Sequence, residues 1–67
     1  MASQIAQEKI ATLSHEIEEL DGFIRDIPST VETEDGNLRE LLTSARQRRI
    51  EERALWQKRA KIWELSK

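Results

Sequence analysis

Apolar residues recur along the first third of the chain at alternating steps of four and three: Ala6, Ile10, Leu13, Ile17, Leu20, Ile24 and Ile27. On a heptad grid Ile10, Ile17 and Ile24 fall at a, and Ala6, Leu13, Leu20 and Ile27 at d. A straight α-helix drifts against a seven-residue repeat, so a seam this long keeps its register only when it faces another helix. The pattern predicts a first helix over about residues 3–27. Ser3 is placed to cap its start, and Pro28 closes it by disfavouring helical geometry at Ile27. Gly22 weakens its interior by about 1 kcal/mol relative to alanine.

Polar and turn-forming residues follow without a break. The segment 28–37 collects Pro28, Ser29, Thr30, Asp35, Gly36 and Asn37, residue types that fix φ, tolerate positive φ or bond their own backbone. It reads as the connection between helices. Asn37 and Glu40 have capping-box spacing, as do Ser29 and Glu32, so a short helical turn inside the loop is also expected. A second helix then runs over about 38–65 with neither proline nor glycine in it. The fold expected is therefore all-α, one antiparallel two-helix hairpin of coiled-coil type.

Turning the second helix back on the first sets Leu38 near Ile27, Leu41 near Ile24, Ala45 near Leu20 and Leu55 near Ile10, with Ile62 close to the N-terminus. The middle layer matches poorly. Arg48, Arg49 and Glu52 come opposite Leu13 and Ile17, so part of the seam is expected to stay half covered. Arginine stems can shield some of it while the guanidinium remains wet. A further helix, from a second copy or a partner subunit, is the expected cover.

Charge sharpens the choice of partner helix. Residues 1–36 carry nine acids and two bases, and residues 37–67 nine bases and four acids, which gives −7 and +5 and sums to the net −2 of the chain. In a parallel pairing of the first helix with its own copy, Glu16 at g would meet Asp21 at e with no base to compensate. Pairing with the basic second helix removes that repulsion, so the antiparallel hairpin is preferred. Exposed contacts of this kind set orientation more than stability.

Trp56 and Trp63, seven residues apart, share one face of the second helix. They are expected either to pack over the open end of the hairpin or to anchor a partner, since tryptophan and arginine dominate interface hot spots. The candidate partner-binding set is thus Ile10, Leu13, Ile17, Leu20 and Ile24 on the first helix and Leu55, Trp56, Ile62 and Trp63 on the second. A second reading rests on the basic run Arg46, Arg48, Arg49, Arg53, Lys58, Arg59 and Lys61, which could neutralise nucleic-acid phosphates. Glu51, Glu52 and Glu64 interrupt that face, and no nucleic-acid-binding motif accompanies it.

Other chemistry finds few footholds. There is no cysteine, and His15 is the single histidine, at the outward f position of its heptad. No glycine-rich phosphate loop or metal-ligand spacing is present. Neither a catalytic role, a metal nor a cofactor is expected. Charged residues make up 36% of the chain, so no stretch is apolar enough to span a bilayer. No basic segment followed by an apolar one opens the chain, and an intracellular location, cytoplasmic or nuclear, is expected. The function expected is a non-enzymatic interaction or assembly subunit that binds a second copy or a helical partner, with a nucleic-acid-binding regulator as the alternative.

Overall fold

The computed structural model describes residues 2–65, with side chains from residue 4 onward. Two long helices, α1 (Ala2–Asp26) and α2 (Leu38–Leu65), flank an eleven-residue connection and pack along each other as a helical hairpin. The body measures 51 × 17 × 14 Å with a radius of gyration of 15.3 Å. A compact globule of this length would have a radius near 11 Å. The chain is a rod, and most of its side chains border solvent.

Helix α1 begins one residue ahead of the expected Ser3 cap; the Ser3 side chain lies outside the described residues. Its end agrees with the sequence. Ile27 N donates to Phe23 O at 3.0 Å, the last helical bond before Pro28. The connection departs from the expected helical turn. Val31 N donates to Pro28 O at 3.4 Å, closing a tight turn in place of that helix.

The chain then forms a miniature antiparallel ladder, β1 (Glu32–Thr33) on β2 (Gly36–Asn37), pairing Glu32 with Asn37 and Thr33 with Gly36. Gly36 has φ of 129°, a conformation that a Cβ would strain. Thr33 Oγ1 donates to Gly36 O at 2.8 Å and accepts from Asp35 N at 3.3 Å, stitching the turn. Asn37 joins this loop to α2. Its Oδ1 accepts from Glu40 N at 3.2 Å, the capping bond the spacing predicts. Its Nδ2 donates to Ser29 O at 2.8 Å and to Glu32 Oε1 at 3.0 Å.

Cross-helix bonds fix the register of α1 on α2. Ser14 pairs with Arg53, Glu16 with Arg49 and Asp21 with Arg46, so residue numbers of level partners add up to between 65 and 67. Ala6 and Ala60 fall level on that rule and are 0% and 6% exposed. Small side chains at this layer let the helix axes approach. The core is short: besides these alanines, only Leu13 at 6% and Ile17 at 5% are buried among the described residues.

Helix α2 is rolled about one residue from the orientation read off the sequence. The residues it turns toward α1 include Leu42, Arg49, Trp56 and Trp63, spaced by sevens and all half-buried, with the buried Ala60 beside them. Leu41, Leu55 and Ile62, the expected inward residues, are 38%, 46% and 53% exposed. This orientation half-buries both tryptophans and aims three arginines at acceptors on α1. The half-covered centre also fails to materialise. Leu13 and Ile17 are the best-buried large side chains, closed over at the level of Arg49 and Arg53, whose aliphatic stems supply apolar surface.

Candidate protein-interaction surface

The roll of α2 decides which side chains are satisfied within the hairpin and which remain outside. Asp21 at e and Glu16 at g flank the α1 seam, and the inward arginines of α2 meet them there. Arg49 Nε donates to Glu16 Oε2 at 2.7 Å, and its Nη1 donates to Ala45 O at 3.2 Å. Arg46 Nε lies 2.5 Å from Asp21 Oδ1, and its Nη2 donates to Oδ2 at 3.5 Å. The Nε–H is not aimed at the carboxylate and is buried without an acceptor, so this pair acts more through charge than through a well-formed hydrogen bond. Arg53 Nη1 donates to Ser14 Oγ at 3.3 Å. Both carboxylate pairs are a third or more exposed, which keeps each worth at most about 1 kcal/mol.

The expected basic face is therefore divided. Arg46, Arg49 and Arg53 turn toward α1, and the Arg59 guanidinium sits 5.0 Å from the Trp56 ring centroid. Arg48, Lys58 and Lys61 are exposed but point to different sides of α2, since ten and three residues separate them. The structure thus does not gather the seven cations on one surface.

An open groove runs along one side of the hairpin, lined on α1 by Lys9, Thr12 and Glu16 and on α2 by Ala45, Arg48 and Glu52. Heptad spacing carries this side along both helices. Ile5 stands seven residues before Thr12, and Phe23 seven after Glu16. Leu41 stands seven before Arg48, with Leu55 and Ile62 seven and fourteen after it. All five large apolar side chains are exposed, Ile5 at 54% and Phe23 at 55% on α1. They flank a charged centre, with Ile5, Leu55 and Ile62 toward the open end and Phe23 and Leu41 toward the loop.

Of the sequence-derived partner set, Leu55 and Ile62 are exposed on this open side, and Leu13 lines the floor of its groove. Leu13 and Ile17 are buried inside the hairpin, and Ile10, Leu20, Ile24, Trp56 and Trp63 are half-buried along its seam. Ile5, Phe23 and Leu41 lie outside that set. The signal for Leu41 was its seven-residue phase with Leu55 and Ile62. Phe23 shares the g column of Glu16, a position on the rim of the seam.

His15 is well exposed, with Nε2 2.6 Å from Glu19 Oε1 on the same helix. Among the described residues no group of three or more potential metal ligands converges, and no helix is long and apolar enough to cross a membrane. No family model, curated protein or solved structure matches this chain.

Proposed function

We propose that the protein is a non-enzymatic assembly subunit, a helical hairpin that contributes one side of α2, together with the rim of α1, to a larger helical bundle. The observation that carries this reading is the set of five large apolar side chains, Ile5, Phe23, Leu41, Leu55 and Ile62, exposed on a single side of a rod with only four buried residues among those described. Scattered apolar residues on a surface mean little, but several aligned along one face at heptad spacing mark a contact with another helix. The nucleic-acid alternative draws less support, because the inward turn of Arg46, Arg49 and Arg53 removes them from any common phosphate-facing surface.

The test is isolation of the protein at native abundance under mild cross-linking, followed by mass determination of the intact complex. Leu55→Glu and Ile62→Glu should each abolish the complex while circular dichroism of the purified chain retains its helicity. A complex that survives both substitutions would overturn the reading. So would tight binding to duplex or single-stranded nucleic acid that falls steeply with salt, the signature of counterion release.

A further inference from the structure

The outer stripe of α2 is a second heptad seam, and its sequence is complementary to its own reverse. Its apolar members are Leu38, Leu41, Ala45, Leu55 and Ile62, and steps of three and four are completed by Arg48, Glu52 and Arg59. Paired antiparallel with an identical stripe about a point near residue 50, every position finds a seam partner whose number adds with its own to 100. Leu38 then meets Ile62, Ala45 meets Leu55, and Arg48 meets Glu52, each twice by symmetry. We propose that a second copy of this chain packs on α2 in this register, forming an antiparallel two-fold dimer.

The inference rests on the assembly reading above and names its partner. Two features favour a second copy. A two-fold contact places the same patch on both sides, so an attractive pairing must be self-complementary. Here the central cations face carboxylates in the antiparallel register, whereas a parallel register would set Arg48 on Arg48 and Glu52 on Glu52. Moreover, Arg48 and Glu52 are both exposed and belong to none of the cross-helix bonds that hold the hairpin. The one mismatch is Arg59 opposite Leu41. The Arg59 guanidinium already stands over the Trp56 ring of its own helix, which leaves its methylene stem to cover the leucine.

Charge exchange tests the register directly. Full-length wild-type chain, Arg48→Glu, Glu52→Arg and the double exchange are compared by sedimentation equilibrium, with circular dichroism confirming the hairpin in each. The wild type should be dimeric at micromolar concentration. Each single exchange sets four like charges at the centre and should raise the dimer dissociation constant by about tenfold or more. The double variant should recover wild-type association. An equimolar mixture of the two single variants should also associate, as a heterodimer, because their charges are then opposite across the interface. A monomeric wild type overturns the second-copy proposal, while the cross-linking experiment above still decides whether another protein occupies the face. A dimeric wild type with unaffected single variants, or single variants that do not rescue each other, also overturns it by locating self-association elsewhere.

Discussion

Arg49 reaches across the hairpin to Glu16, its Nε 2.7 Å from the carboxylate oxygen, while Nη1 donates one turn back along its own helix to Ala45 O. It occupies a column otherwise filled by Leu42, Trp56 and Trp63, at the level of the buried Ile17. The side chain has two separable duties: its stem fills a seam position and its head answers an acid. At roughly a third exposed on each side, the ionic part should be small, and a double-mutant cycle with Glu16→Gln should return about 0.2–1 kcal/mol of coupling. Urea denaturation should therefore rank Arg49→Met well above Arg49→Ala in stability. Equal losses for the two variants would show that charge, not coverage, is what the position supplies.

That dual use explains why α1 was legible from sequence and the orientation of α2 was not. In α1 a single set of apolar residues fits one seam, and the observed burial of Ala6, Leu13 and Ile17 follows it. In α2 two seams compete, one residue apart. The apolar-richer one holds Leu41, Leu55 and Ile62, and counting hydrophobic residues selects it. The structure uses the other, where Leu42, Trp56, Ala60 and Trp63 alternate with arginines. Grouping Arg46, Arg49 and Arg53 into an outward basic run hid this arrangement, although Glu16 and Asp21 already called for cations at those levels. The loop ladder was hidden for a different reason: two-residue strands carry no periodicity, and only Gly36 and Asn37 hint at the turn.

Ile17 is 5% exposed within a single hairpin, so its contribution precedes any assembly. Ile17→Asp would desolvate a carboxylate beside an Arg49 already paired with Glu16, a penalty of several kcal/mol. A chain of this size holds only about 3–5 kcal/mol in reserve. Helicity should collapse at every protein concentration. His15→Ala, at a well-exposed position, should stay within about 0.5 kcal/mol of wild type. Circular dichroism across a concentration series separates the outcomes: an Ile17→Asp chain that regains full helicity on concentration would place the isoleucine in an intermolecular contact.

The two glycines should respond in opposite directions to the same change. A Cβ on either would have open space around it, so backbone conformation alone decides the sign. Gly22 lies within α1, and Gly22→Ala should stabilise by about 0.4–1 kcal/mol by restricting the unfolded chain. Gly36 has φ of 129°, so Gly36→Ala should cost about 1–3 kcal/mol. For a domain this small, each kcal/mol moves the melting midpoint by roughly 4–8 °C. Thermal melts should thus place the two variants on opposite sides of wild type.

Asn37 offers the sharpest test of the connection, because its amide does three things at once. The oxygen caps α2 through Glu40 N, and the nitrogen holds Ser29 O and Glu32 Oε1. Asn37→Ala removes all three bonds and should cost about 1–2 kcal/mol. Asn37→Asp retains a good capping oxygen near the positive end of the helix dipole. It cannot donate, however, and it brings a carboxylate against Glu32, an exposed group whose repulsion salt will screen. At low salt Asn37→Asp should therefore fall between wild type and Asn37→Ala, and its deficit should shrink as salt is added. Amide exchange would locate the effect: Asn37→Ala should speed exchange at Glu40, while both variants loosen the 29–37 loop. An aspartate variant as stable as wild type at low salt would mean that the two donated bonds contribute nothing, leaving the cap as the sole role of this side chain.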